Sequence, residues 1–288
     1  MSKEKKIIII GGAGHVGAPL GVALANEGFK VTLLDLNINN LNKLKQGIMP
    51  FIEVGCENLL KKNIKKKRIF FSNNYDDIEK NKYIIISLGT DVKNLKPETK
   101  KFLSFFKFLK NKINKTQSVI IRSSIFPGTY KKVFSIIKVK CKNLTYCPER
   151  IAQGNSIKEL PKISQIISGN NKNEIRKISK IFNKICKKIL VTTPENAELI
   201  KLFSNAYRYM NFAITNQFYT MCEKLNLNYK NIERLMKEGY PRNSGIPRAG
   251  FAGGPCLIKD TVQLSYFFKN KYPLLRDSRM INQKLPQV

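Results

Sequence analysis

Ile7-Ile8-Ile9-Ile10-Gly11-Gly12-Ala13-Gly14-His15-Val16-Gly17 decides the fold. Four consecutive isoleucines read as a short strand apolar on both faces, because β-branched side chains suit an extended backbone and a parallel strand is covered from both sides. The glycines end the strand, and helical spacing of apolar residues takes over through residue 27. The spacing Gly12-x-Gly14-x-x-Gly17 has a physical cause. Gly12 permits the tight turn, Gly14 lets a pyrophosphate approach the backbone, and Gly17 lets helix and sheet pack closely, so that the phosphates meet N–H groups at a helix N-terminus. A second β-rich run, Val31–Asp35, completes a βαβ unit, and an acid at its end can bond both ribose hydroxyls while repelling a 2′-phosphate. The turn therefore predicts NAD binding through Gly12, Gly14, His15, Val16, Gly17 and Asp35. His15, the chain's single histidine, reads as a loop residue near phosphate, so alcohol dehydrogenation by a His–Asp base and His-based hydrolysis are both disfavoured.

Outward from this unit, short apolar runs alternate with helical stretches. Tyr83–Leu88, Ser118–Arg122, Leu144–Cys147, Gln165–Ser168 and Ile189–Thr192 read as further strands, with helices at 98–112, 129–137 and 172–185. This rhythm predicts a doubly wound, Rossmann-type α/β fold with a parallel sheet covered on both faces. From Pro194 the pattern changes to one long helix over 195–225, with Leu199, Leu202, Phe203, Ala206, Met210, Ala213 and Ile214 at helical spacing. A helix at 229–238, a Gly/Pro-rich loop at 239–255 and a helix starting near Cys256 follow. The expectation is a nucleotide-binding domain over 1–194 and an all-helical domain over 195–288.

Lys+Arg number 52 against 20 Asp+Glu, a net charge of +32 in 288 residues. Lysines recur in nearly every polar stretch, and only Lys61–Arg68 makes a compact cluster, read as a solvated surface turn. A nucleic-acid surface shows as a localised run or stripe, so the charge reads as compositional drift that helps attract an anionic substrate. The six cysteines contain no C-x-x-C pair, which supports neither a metal site nor a disulfide framework and suits reduced cytoplasmic thiols. No apolar run approaches a membrane span.

Four segments carry the remaining chemistry: Ser123-Ser124-Ile125-Phe126-Pro127-Gly128-Thr129; Cys147-Pro148-Glu149-Arg150 with Gly154; Glu198-x-x-Lys201-x-x-x-Asn205; and Gly250-Phe251-Ala252-Gly253-Gly254-Pro255-Cys256-Leu257-Ile258-Lys259-Asp260. Lys201 and Asn205, four apart, share a helical face, and a cation beside an amide donor suits an oxyanion. Cys256 follows two glycines at a helix start, where aligned amides favour thiolate. Asp260 lies one turn further on the same face. In order and content these segments resemble the UDP-glucose/UDP-N-acetylmannosamine/GDP-mannose dehydrogenase family, over essentially the whole chain.

That resemblance implies a four-electron oxidation of a nucleotide sugar. Hydride leaves C6 for NAD, Cys256 adds to the aldehyde while Lys201 and Asn205 hold the oxyanion, and a second oxidation leaves a thioester. Water then releases the uronate with help from Glu149 and Asp260, and Ser124 steadies the water or the C6 oxygen. Arg150, Arg242, Phe251, Gly253 and Gly254 are the implied substrate contacts, and the long helix the implied homodimer interface. Ser124 replaces the family's usual threonine, Ser87-Leu88-Gly89-Thr90 departs from its V-P-T-P strand end, and Gln153 stands where UDP-glucose enzymes carry a second glutamate. The last feature, with Gly239-Tyr240-Pro241-Arg242, resembles the branch acting on UDP-N-acetylhexosamines. The family's third, UDP-binding domain has no counterpart before Val288, which implies weak sugar-nucleotide binding. Two alternatives stay open: a β-hydroxyacid dehydrogenase, which has no use for Cys256, and a catalytically silent NAD-binding regulatory or nucleic-acid-associated protein.

Overall fold

A computed structural model describes residues 6–93, 95–252 and 254–285. The chain forms two compact units, one from the residues up to Thr90 together with Thr99–Leu199, the other from Asp91–Glu98 and the chain from Ile200 onward. The division falls inside the long helix, and a short excursion of the first half belongs to the second unit.

Strands are numbered along the chain. β1 (Lys6–Ile10), β2 (Lys30–Leu34), β3 (Ile69–Ser72) and β4 (Tyr83–Ile86) precede a two-stranded hairpin of β5 (Val92–Lys93) and β6 (Lys96–Pro97). β7 (Ser118–Ile121), β8 (Leu144–Tyr146), β9 (Gln165–Gly169) and β10 (Ile189–Thr192) complete the set. The first unit holds one eight-stranded sheet in the order β10-β9-β8-β7-β4-β1-β2-β3. Its first six strands in sequence follow the doubly wound Rossmann order. All neighbours are parallel except β8 and β9, which run antiparallel with Thr145 opposite Gly169. Ile7 to Ile10 are at most 1% exposed, so each contributes about 2 kcal/mol of apolar burial. On one face of the sheet α1 (Gly17–Asn26) supplies Ala18, Leu20, Val22, Leu24 and Ala25 to the core around Ile7 and Ile9. α4 (Thr99–Leu109) packs against α5 (Thr129–Ile137), and α6 (Ser156–Glu159) and α7 (Lys172–Phe182) follow, α7 against β9.

Three elements of this unit run against or beyond the sequence reading. Lys61–Arg68 is not a turn: Lys61, Lys62 and Lys65 lie on the exposed face of α3 (Cys56–Lys65). Only Lys66 and Lys67 turn, with Lys67 at φ 53, before the chain enters β3. β3 is a four-residue edge strand with Phe70 exposed, and only Ile69 of its apolar residues is buried. α2 (Ile38–Lys45) is capped by Asn37, whose side chain accepts from Asn40 N.

The second unit is helical apart from the β5–β6 hairpin. α8 (Pro194–Lys224) runs into it from the first unit, followed by α9 (Tyr229–Lys237), a 3-10 turn at Pro241–Asn243, α10 (Gly254–Phe267) and α11 (Pro273–Lys284). α10 packs on both hairpin strands and on α11. Of the apolar series read along α8, Leu202, Ala206 and Ala213 are buried, whereas Phe203 and Ile214 are about half exposed. No helix of the described residues is long and apolar enough to cross a membrane.

Candidate functional site

In the sheet unit, Gly11 carries the left-handed conformation of the turn, at φ +78. Gly12 meets a different demand: a Cβ there would lie 2.7 Å from the Cα of Leu33 in β2, so the turn is pressed against the neighbouring strand. At Gly17 a Cβ would sit 2.2 Å from Gly11 O. A Cβ at Gly14 would meet nothing closer than 3.4 Å, which leaves that side of the turn open to approach. Asp35 Oδ2 accepts from Ala13 N at 2.9 Å, and its Oδ1 accepts from Asn37 N. The acid therefore braces the glycine turn from the end of β2. Ser87, at the end of β4, donates its hydroxyl to Ile10 O and Gly11 O, each 3.1 Å away. His15 lies with its ring centroid 4.0 Å from that of Phe51. It lines a small cavity with Val16, Glu149, Ile151 and Gln153.

The ends of β7 and β8 position the next group. Ser124 follows β7, and its carbonyl accepts from the Thr90 hydroxyl. Glu149 is tightly engaged: Oε1 accepts from Arg150 N and Ile151 N at 2.8 and 3.0 Å, and Oε2 pairs with the Arg122 guanidinium. Arg122 is 1% exposed. It also donates to Cys147 O and Gln165 Oε1, and it lies over the Phe182 ring at 5.2 Å. A buried ion pair of this kind costs about 3–5 kcal/mol to break by removing one partner. Arg150, read from sequence as a substrate contact, donates to Ser164 O at 3.0 Å. The Glu149 loop has a second anchor. Glu53, before α3, accepts from Gly154 N and Ser156 N, and Val54 N donates to Gly154 O.

Glu198, quoted above only as part of a motif, accepts from Gly128 N at 2.6 Å and Tyr130 N at 2.8 Å. The first turn of α5 is thus capped by an acid from α8. Burial pushes the Glu198 carboxyl above its ordinary range, opposed by those N–H bonds.

Sequence reasoning passed over Arg122 and Glu53. A guanidinium ending an otherwise apolar strand was a visible signal for Arg122. Nothing local marked Glu53, whose partners lie about a hundred residues away.

In the helical unit Lys201 and Asn205 are 8% and 7% exposed on α8. Asn205 Nδ2 donates to Asp260 Oδ2 at 2.6 Å. Asp260 is fully buried, and its Oδ1 lies 3.9 Å from Lys259 Nζ. Burial raises its carboxyl above the usual aspartate range, while Lys259, Lys201 and the Asn205 bond oppose the rise. Cys256 stands one turn before Asp260 on α10 and is the one exposed cysteine of the six. Burial pushes the Cys56 and Cys147 thiols up to about 12 and also raises Cys141 and Cys186, so thiolate is disfavoured at all four. Gly254 opens α10 at φ +72, Phe251 is 75% exposed, and Gly253 lies outside the described residues. Arg242 stacks on Tyr240 and donates to its hydroxyl at 3.1 Å. Among the described residues no group of three His, Cys, Asp or Glu side chains could hold a metal ion.

Compared with known families, residues 5–186 match the NAD binding domain of the UDP-glucose/GDP-mannose dehydrogenase family, and residues 195–284 match its central domain. The chain belongs to this family. Its relatives include a UDP-N-acetyl-D-mannosamine dehydrogenase of Methanococcus vannielii, 30% identical over 99% of this chain and 66% of the relative. A UDP-glucose 6-dehydrogenase of Rickettsia prowazekii is 29% identical over 90% of this chain and 62% of its own length. The solved structure of the Pyrococcus horikoshii UDP-D-ManNAc dehydrogenase superposes with a TM-score of 0.89 at 25% identity, over 98% of this chain and 69% of that one. The chain thus spans 66% of the length of the first of these relatives.

The sheet unit fits the NAD that this family binds. α1 has neither a capping side chain nor an acidic residue in its first turn, so its leading amides suit a pyrophosphate. Gly14 leaves the space such a group needs, and Asp35, just past the end of β2, holds the turn in place.

Proposed function

We propose that this chain performs the NAD-dependent oxidation of the C6 alcohol of a nucleotide sugar to the uronate, through a thioester on Cys256. The observation that carries the reading is the buried Asn205–Asp260 hydrogen bond. It joins an acid, an amide and the neighbouring Lys201 one helical turn from the exposed thiol. The names of the relatives support a UDP-N-acetylhexosamine or a UDP-hexose as substrate.

When bound, NAD would supply the hydride acceptor, and Gly12, Gly14, His15, Val16, Gly17 and Asp35 would hold it. The chain's own residues do the remaining work. Cys256 Sγ bonds to the carbonyl carbon of the C6 aldehyde. The Lys201 ammonium and the second Asn205 amide hydrogen hold the resulting oxyanion, a role for which one donor is worth about 10²–10³ in rate. After oxidation the same carbon is a thioester, which water opens to carboxylate and free thiol. Asp260, raised above the ordinary aspartate range by burial, receives the proton of that water. Glu149 already accepts from Arg122, Arg150 and Ile151, so its part is to keep its loop fixed beside His15. The Ser124 hydroxyl steadies the water or the C6 oxygen. Arg242 and Arg150 serve the substrate diphosphate, and Phe251, Gly253 and Gly254 line its path to the thiol.

The chain pairs with a second copy through α8. Phe203, Tyr207, Ile214, Phe218 and Met221 recur at helical spacing along it and are all exposed, from 38% to 64%. Sedimentation of the protein and of Ile214→Asp tests this, with a shift from dimer to monomer expected.

The test of function is NADH formed per sugar consumed with UDP-glucose, UDP-N-acetylglucosamine, UDP-N-acetylmannosamine and GDP-mannose. Two NADH per sugar with one of the UDP-sugars is expected. One NADH per sugar with accumulation of a stable aldehyde overturns the thioester route.

A further inference from the structure

The segment from Gly250 to Asp260, which carries Cys256, is attached to α8 at two points. Asp260 is held by Asn205, as described. Gly250 is held by Asn216, whose amide reads both sides of the glycine backbone: Gly250 N donates to Asn216 Oδ1 at 2.8 Å, and Asn216 Nδ2 donates to Gly250 O at 3.0 Å. The second Nδ2 hydrogen of Asn216 goes to Asn282 Oδ1 at 2.8 Å, and Asn282 Nδ2 donates to Tyr209 O at 3.0 Å. Asn216 is fully buried and Asn282 is 8% exposed. Every hydrogen of the Asn216 amide is therefore used, and α11 fixes the orientation in which α8 presents it. Gly250 sits at φ +149, a conformation that suits glycine.

Asn205 and Asn216 are eleven residues apart, close to three turns, so they share one face of α8 about 16 Å apart along its axis. The two asparagines thus bracket the cysteine segment from a single rigid stripe. We propose that Asn216, oriented by Asn282, is a positioning residue for Cys256: it holds the leading end of the segment whose trailing end Asn205 holds. The importance of that position rests on Cys256 being the nucleophile; the clamp itself does not. Cys256 lies in the first turn of α10 and is exposed, so the direction in which its Sγ is presented depends on that turn staying formed. Releasing Gly250 lets that turn fray.

The test compares the wild-type chain with Asn216→Asp, which keeps the side-chain volume but sets an oxygen against Gly250 O, and with Asn282→Ala, which leaves both Gly250 bonds and removes the orienting one together with the bond to Tyr209 O. Site-resolved iodoacetamide alkylation at neutral pH gives the rate at Cys256 relative to Cys186 as an internal reference. The ratio is expected to fall about fivefold or more in Asn216→Asp and less in Asn282→Ala, with melting confirming that each variant is folded. In turnover, kcat falls while KM for NAD holds, because the nucleotide turn is untouched. An alkylation ratio that is unchanged or rises in a folded Asn216→Asp overturns the proposal; if that variant does not fold, Asn282→Ala decides by the same ratio. Full turnover by Cys256→Ser instead sinks the nucleophile assignment, and the alkylation result, which needs no turnover, still stands or falls on its own.

Discussion

The two units build their functional geometry by different means. In the sheet unit the cofactor cradle is made of backbone: Gly11 turns, Gly12 lies against β2, Gly17 admits the Gly11 carbonyl, and Asp35 braces the turn from a strand end. In the helical unit the residues proposed to react are held by side chains that reach across the sequence, Asn205 to Asp260 and Asn216 to Gly250. Apart from the Asp35 carboxylate, the backbone-built site tolerates change except at the positions where a Cβ does not fit. A site built from side chains depends on single amide groups, each replaceable by one codon and each with a graded cost.

The sharpest way to break the comparison is Cys256→Ser. It should cost at least about 10³-fold in uronate formation, the scale on which losing a nucleophile acts, with NAD affinity by fluorescence titration unchanged. A loss of NAD affinity as well would mean that the two kinds of site are not separable. Next is Asp260→Asn, expected to lower kcat by about 10²–10³-fold on the scale of general acid–base catalysis. The sign of its pH effect follows from the raised carboxyl. The acid form persists above the ordinary aspartate range near 3.9, so the rate of the wild type falls as pH drops through that higher range. In Asp260→Asn the corresponding limb disappears, and a limb that survives would assign the proton to another group.

How much of this was legible in the sequence follows the same division. Strands β1, β2, β4, β7, β8, β9 and β10 stand out as short runs rich in apolar and β-branched residues between helical stretches. The half-exposed β3 does not, since Phe70 points to solvent next to a basic stretch. The antiparallel entry of β9 has no local signature, because strand direction is set by the length and path of the connection and not by composition. Lys201, Asn205, Cys256 and Asp260 were readable through helical spacing and a distinctive glycine loop. Glu53, Asn216 and Asn282 were not, because what they do is defined by partners 34 to 103 residues away.

Smaller effects sharpen the contrast within the sheet unit. Gly17→Ala drives a methyl group into Gly11 O, an overpacking cost of about 1–3 kcal/mol. Calorimetry should record a melting decrease of about 2–4 °C per kcal/mol, with NAD binding lost in the same step. Glu198→Gln should be the mildest. It keeps one acceptor for the α5 amides and costs about 1 kcal/mol, as loss of a helix cap does. A drop several times larger would show that the carboxylate, and not the cap alone, holds α5.

The β5–β6 hairpin has a consequence for how the chain can be made. It is synthesised within the first hundred residues, yet it packs on α10, which begins at Gly254. The polypeptide crosses from one unit to the other after Thr90, after Glu98 and again after Leu199. During translation the hairpin must wait for about 160 residues before its packing partner leaves the ribosome, a long-range contact of the kind that slows folding. A single cut after Leu199 leaves residues 91–98 on the first fragment and deprives the helical unit of its hairpin, so a chain ended at Leu199 should exchange the amides of 91–98 at the rate of an open loop.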